Sequence, residues 1–216
     1  MGALTGDSLL EITVRSIAIS GSATLLALAW SLPLAYILAV SKPGRRLTTV
    51  LEAMVGVPTV FIGLLLYLLL SRSGPLGFLG LLYTPQAIII GEAILVTPLI
   101  TAVSYRILST ALDEYGETVR TLGASESQVF QAIARESLPG LVAAAVMGFS
   151  RAIGELGVAL IVGGNIKGYT RTITTSISLY VSQGEIEAAV KLGAILLILS
   201  IGVGMAVRLA MEAWAR

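Results

Sequence analysis

The chain has 216 residues, 56% of them hydrophobic and 12% charged, with a mean hydropathy of +0.90 and a formal net charge of +1. Soluble domains carry about 25% charged residues, so a soluble globule is excluded, and the near-neutral balance gives no electrostatic case for a nucleic-acid partner. Cys and His are both absent from the sequence, which removes disulfides, thiolate metal sites, thiol nucleophiles and the commonest general base. No metal site and no catalytic residue are expected, and the usual tools of a membrane enzyme are largely missing.

The apolar residues fall in blocks long enough to cross a hydrocarbon core about 30 Å thick, which takes about 20 helical residues. Neither residues 16–41 nor residues 53–71 contain a charge. Barrel strands would alternate in shorter pieces, so the pattern predicts an all-α integral membrane protein with a single transmembrane domain over 1–216. The start, MGALTGDSLLEITVR, has no basic n-region and no small-residue cleavage site, and no signal peptide is expected.

Five spans are predicted, at about 12–40, 49–70, 86–108, 138–162 and 185–213. The first opens with Glu11 and Arg15 at i,i+4 near the interface, and Pro33 predicts a kink. A basic turn, SKPGRR, follows. The second span has Gly56 and Pro58 near its start, and the third contains Glu92 and Pro98. Glu92 has no charged neighbour within its span and must find a partner or be protonated.

Between the third and fourth spans lies a polar loop at 113–137, read as two short helices separated by Gly123. Gly123 suits the C′ stop of the first, and Ser125 with Gln128 three residues on suits a capping box for the second. Val129, Phe130, Ile133 and Ala134 recur at helical spacing. Such a loop fits a docking element for a soluble partner, or a solvated connector. Lys and Arg concentrate at Lys42, Arg45, Arg46, Arg106, Arg120, Arg135, Arg208 and Arg216. With five spans these share one side, which the positive-inside rule makes cytoplasmic, leaving the N-terminus outside and the C-terminus inside.

In the fourth span Arg151 and Glu155 stand at i,i+4 and share a helix face. Charges at membrane depth face protein or water. The pair is read as a packing device or, alternatively, as part of a gate or anion path. After it comes GGNIKGYTRTITTSI, at 163–177, polar and glycine-rich between two apolar segments. The plainest reading of this stretch is a water-facing loop. Yet Asn165, Thr170, Thr172 and Thr174 with Lys167 and Arg171 offer donors and modest positive charge, which suits a tetrahedral oxyanion that must be released again. The segment TTSISLYVSQGEIEAA can re-enter as a short helix lining a cavity.

The stretch ETVRTLGAS followed by VFQAI resembles the EAA loop of permease subunits of ABC-type importers. Glu117, Gly123 and Ile133 match that motif in spacing, whereas Thr118 and Val119 replace its alanines, and Arg135 and Glu136 stand where Leu-Pro is expected. Further on, GFSRAIGELGVALIVGGNIKGYTRTITTSISLY is similar to permeases for molybdate and tungstate, closest to the tungstate branch. The resemblance runs from about Pro33 to the end and is strongest over residues 148–177.

The resemblance implies a type I ABC importer permease with a five-helix core, not itself an enzyme, that moves tungstate or molybdate into the cell as a homodimer in the cell membrane. It implies two partner ATPase subunits, which would hold ATP and Mg²⁺, since this chain lacks the G-x-x-x-x-G-K-[ST] phosphate loop. It also implies an extracytoplasmic oxyanion-binding protein. Glu117, Arg120, Gly123, Ala124, Ser125, Val129, Phe130 and Ile133 would then couple to the ATPase. Arg151, Glu155, Asn165, Lys167, Thr170, Arg171, Thr172 and Thr174 would line the path or meet the binding protein. Import of sulfate or thiosulfate, a passive channel and a membrane enzyme are the alternatives.

Overall fold

The computed structural model describes residues 7–41 and 44–214. Residues 1–6, Lys42 and Arg216 lie outside the described residues, as do the side chains of Arg45 and Arg46, so those parts of the leader and orientation readings have no structural counterpart. The described residues form helices and turns, with no strand among them: α1 (Leu9–Val40), α2 (Gly44–Met54), α3 (Thr59–Leu70), α4 (Pro85–Thr121), α5 (Glu126–Ile153), α6 (Gly157–Gly163), α7 (Ile173–Ser182) and α8 (Ile186–Trp214). Four of these are long and apolar enough to cross a membrane, and five spans result if the bent α2–α3 pair counts as one.

α1 begins with a capping box, in which Glu11 N donates to Ser8 Oγ at 3.1 Å and Ser8 N donates to Glu11 Oε2 at 2.9 Å. Pro33 lies inside α1 and the helix continues past it to Val40. Its buried stripe is mostly small: Ser16, Ser20, Ala23, Thr24, Ala27, Ser31 and Ala35. Small residues let helix backbones approach closely where lipid supplies no hydrophobic drive between helices. α4 lies against this stripe, and Ala23, Ala27, Ala93, Val96, Ile100 and Ala152 form the middle of the core. One end is closed by Ile19, Leu66, Ile88, Val158 and Val162, and the other by Ala35, Leu108, Val129 and Ile133. Outward, Leu25, Phe61, Leu68, Leu197, Ile198 and Ile201 are exposed apolar side chains, as expected of helices bathed in lipid.

The structure departs from the predicted spans in three places. The second span is not straight, because α2 and α3 meet at 91°. Pro58 sits immediately before α3 with ψ 122°, outside the helical region, and it has no N–H to carry the ladder across. α3 alone, with 12 residues, is about 18 Å long, shorter than a bilayer core. The polar loop is not a pair of separate short helices either. Nothing breaks the ladder between Leu108 and Thr121, so α4 runs on through it for 37 residues, and α5 begins at Glu126 and continues into the fourth span. Last, the fourth span ends at Ile153 and resumes as α6 after residues 154–156. That break directs α6 between α3 and α4 and positions the polar loop that follows.

Gly91 sets how near α6 comes to α4. A Cβ there would lie 2.4 Å from Val158 Cγ1 and 3.0 Å from Leu66 Cδ1. Val158 is fully buried and β-branched, so it has few rotamers to retreat into. Gly91→Ala is therefore expected to destabilise the fold by about 1–3 kcal/mol, the usual cost of overpacking. The effect is read as a lower unfolding midpoint in detergent, and an unchanged midpoint would show that the contact is not set by the missing side chain.

Candidate functional site

The polar stretch begins where α6 stops. Gly164 ends the helix in the left-handed region, φ +70°, with its N–H on Leu160 O at 3.0 Å, and Asn165 follows at φ +51°. Asn tolerates that region better than most residues. Gly163 has no room for a side chain, because a Cβ would lie 2.6 Å from Ile88 Cδ1. Tyr83, from the turn before α4, donates its N–H to Val162 O at 2.8 Å and so ties the α6 end to α4.

The hydroxyls then knit the loop to itself. Thr170 Oγ1 donates to Gly163 O at 2.6 Å and accepts from Ile166 N at 2.9 Å. Thr172 N donates to Thr175 Oγ1 at 2.9 Å, capping α7. Thr174 Oγ1 donates to Glu155 O at 2.7 Å, and Ser176 Oγ donates to Thr172 O at 2.7 Å. Ile173 N reaches across to Ser16 Oγ on α1 at 2.8 Å. Thr170, Thr172 and Thr174 are buried, so in this conformation they satisfy backbone rather than face an open path. Lys167 is exposed and Asn165 half-buried.

Arg171 is held by Asn165, with Nε donating to Asn165 Oδ1 at 3.2 Å. Its carbonyl accepts from Arg15 Nη1 at 3.0 Å. Both guanidiniums face Asp7, whose carboxylate accepts from Gly168 N at 2.8 Å and from Arg15 Nη2 at 3.2 Å and stands 3.9 Å from Arg171 Nη1. Burial pushes the Asp7 carboxyl up, but the Gly168 amide, the Arg15 hydrogen bond and charge, and the Arg171 charge outweigh it and hold it below its ordinary value of 3.8. This clasp therefore stabilises the fold at neutral pH and loses its contribution only as pH falls through that depressed value. Asp7 and Arg15 were not among the expected site residues. Their partners in the polar loop lie more than 150 positions away, and no local pattern announces such a contact.

At the α5–α6 break Arg151 Nη1 donates to Glu155 Oε2 at 2.8 Å, and Glu155 Oε1 accepts from Val158 N at 3.2 Å. The Glu155 side chain is 3% exposed and that of Arg151 36%. Thus the i,i+4 expectation places the pair correctly, although Glu155 lies past the helix end. Glu92 is buried, and its Oε2 has no hydrogen-bond partner among the described residues. No grouping of acidic residues able to hold a metal ion occurs among the described residues.

The α4–α5 turn lies about 42 Å from this break, the length of the 28-residue α5. Gly123 adopts φ +85° and ends α4, and Gln128 Oε1 accepts from Ser125 N at 2.8 Å. Arg120 grips Glu126 through Nε at 3.0 Å and Nη2 at 3.2 Å. Val129 and Ile133 are buried with Ala124 packed beside them, while Glu117, Ser125 and part of Phe130 are exposed. Phe130 meets Tyr36 of α1 edge to face, ring centres 4.8 Å apart. The turn is thus anchored on one side and presents a mixed polar and apolar face on the other.

A profile described as "Binding-protein-dependent transport system inner membrane component" matches residues 31–215. The chain belongs to that family. This permease is 43% identical over 194 residues to the tungstate uptake system permease protein TupB of Peptoclostridium acidaminophilum, covering 89% of this chain and 85% of that one. It is 37% identical over 212 residues to a probable anion ABC transporter permease protein of Haloferax volcanii, covering 94% and 90%. Its fold is similar to the MetNI methionine ABC transporter in inward-facing form, with TM-score 0.77, 19% identity and 96% of each chain covered. It is a multi-pass, type I importer permease, a transport component rather than an enzyme.

Thr170→Val keeps the size of the side chain and removes both loop bonds of its hydroxyl. Two backbone groups are left without partners, at a cost of about 1–3 kcal/mol. The loop is expected to show faster amide exchange, with Thr170→Ser restoring protection. Equal exchange in the Val variant would mean that the hydroxyl does not hold the loop.

Proposed function

We propose that this chain is the transmembrane subunit of an ATP-driven importer for a tetrahedral oxyanion, tungstate first and molybdate second. What supports the cargo is the 43% identity to a tungstate uptake permease across 89% of this chain, together with a loop rich in cations and donors. The chain works as a homodimer with two ATPase subunits that hold ATP and Mg²⁺. An oxyanion-binding protein meets the end carrying residues 163–172. That end, with the N-terminus, is placed outside the cell, and the α4–α5 turn inside.

Transport then follows from the connection between the two ends. The exposed face of the turn, with Glu117, Arg120, Gly123, Ser125 and Phe130, takes up the motion of the ATPase pair, and Ala124, Val129 and Ile133 pass it to the bundle. α5 has no break between Glu126 and Ile153, so displacement of the turn arrives at Arg151 and Glu155. Glu155 holds α6 through Val158 N and α7 through Thr174. The turn therefore moves the elements that flank the polar loop. Such coupling requires each partner to bind the outward and inward states with different affinity.

The decisive experiment reconstitutes the permease with its ATPase and binding protein in vesicles. Tungstate-loaded binding protein is expected to stimulate ATP hydrolysis and uptake, with sulfate a poor competitor, whereas anion flux without nucleotide would defeat the importer reading. Gly123→Trp forces a side chain into φ +85°, a region costing about 1–2 kcal/mol for an L-residue, and places an indole on the turn's face. It should abolish tungstate-stimulated hydrolysis while the permease still assembles. Normal transport by this variant would count against the turn as the coupling element.

A further inference from the structure

The Asp7 carboxylate occupies a pocket of donors that has the makings of an oxyanion site. We propose that Arg15, Arg171 and the Gly168 amide form a transit site for the tetrahedral dianion, and that Asp7 is its built-in occupant, displaced as the anion passes. This inference rests on the import reading above and adds to it a site and a means of release.

The donors are held in place without Asp7. Arg15 Nη1 is fixed on Arg171 O, and Arg171 Nε and Nη2 are fixed on Asn165 Oδ1 and O at 3.2 and 3.5 Å. Gly168 stands at φ +73°, which directs its amide to the carboxylate, and the N···O distance is 2.8 Å. The cradle therefore survives departure of the carboxylate, as a preorganised anion site must.

Asp7 also fills the cradle incompletely. Arg171 Nη1 lies 3.9 Å from Asp7 Oδ2, beyond hydrogen-bond range. A Cβ built on Gly168 would meet nothing within 4 Å except Asp7 Oδ1, at 3.9 Å, so the Cα side of this residue is open apart from that carboxylate. A tetrahedral oxyanion is broader than a carboxylate and presents four acceptors. Two guanidiniums against one carboxylate leave a residual positive charge, whereas a dianion neutralises both.

Departure of Asp7 breaks its bonds to Gly168 N and Arg15 but does not unwind α1. Asp7 precedes the N-cap, and the bonds that cap α1 run between Ser8 and Glu11, so its side chain can swing out with the helix intact. Tethered beside the site, it competes for the donors at an effective concentration on the order of millimolar. The anion would be held long enough to enter and then displaced, which avoids the trap that two bare arginines would create.

The test uses the assembled permease–ATPase complex in nanodiscs, without binding protein or nucleotide, and equilibrium dialysis of tungstate. Asp7→Asn, which keeps the shape and removes the competing charge, should bind tungstate at least about tenfold more tightly than the unaltered complex, the scale set by losing a tethered competitor. Adding Arg171→Ala to Asp7→Asn should abolish that gain. Equal affinity of Asp7→Asn and the unaltered complex, or a gain that survives Arg171→Ala, overturns the proposal. Should the variants fail to assemble, the unaltered complex at saturating tungstate decides by electron microscopy. Tungsten density is expected against Arg15, Arg171 and Gly168 N with Asp7 turned away, and density confined to other places, or none, is the contrary result. Failure of the import reading is separately visible, as absence of stimulated ATP hydrolysis in the unaltered reconstituted system.

Discussion

The loop-bearing end of this bundle depends on how Glu155 satisfies the broken helix in which it lies. At membrane depth an unpaired backbone group or charge costs several kcal/mol, so a helix can stop there only if something takes over its bonds. Glu155 does this three ways. Its carboxylate takes Arg151 on one oxygen and the Val158 amide on the other, and its carbonyl takes Thr174. α5, α6 and α7 are joined through one residue. Removing Arg151 would leave the Glu155 carboxylate buried without its counter-charge, which is far more damaging than the net worth of the pair.

The same economy explains the hydroxyls of residues 170–176. In a polar loop next to a proposed anion path, it is natural to read each hydroxyl as a ligand. Here Thr170, Thr172, Thr174, Thr175 and Ser176 are buried and bonded within the fold. They give the backbone partners that a regular helix would have supplied, so they build the loop. Cationic and amide donors converge instead on Asp7, and Lys167 stands at the surface. Shape and charge at this end are divided between different residues.

Much of the architecture was legible because it rests on local rules. Runs without charge marked the apolar segments, Gly123 marked a helix end, and Ser125 with Gln128 marked a start. The short helix after the polar loop was legible too, as α7. What escaped the sequence depends on tertiary context. The 91° bend at residues 55–58 is carried by Gly and Pro that kink a helix as readily as they end it. The continuity of α4 through a polar segment was hidden because polarity reports exposure, not the state of the backbone. The clasp of Asp7 with Arg15 and Arg171 joins the start of α1 to the polar loop before α7, and no periodicity in either stretch encodes it.

The placement of these features constrains how the two ends communicate. α5 runs from the turn to Arg151 as one helix with Pro139 inside it, so displacement of the turn reaches Arg151 through a helix that lacks one ladder bond at that proline. Besides that one N–H missing at Pro139 within α5, the ladder is interrupted at residues 154–156, where Glu155 bonds to both α6 and α7. A two-state element there needs only about 1–3 kcal/mol of differential interaction to couple distant sites, and one charge-assisted hydrogen bond is of that size. The α7 cap is bonded to α1 through Ile173 and Ser16, and α1 begins beside Asp7. The α5–α6 break, the α7 cap and the cradle around that carboxylate are thus joined by a continuous set of hydrogen bonds, from Glu155 to Thr174, from Ile173 to Ser16 and from Arg15 to Arg171.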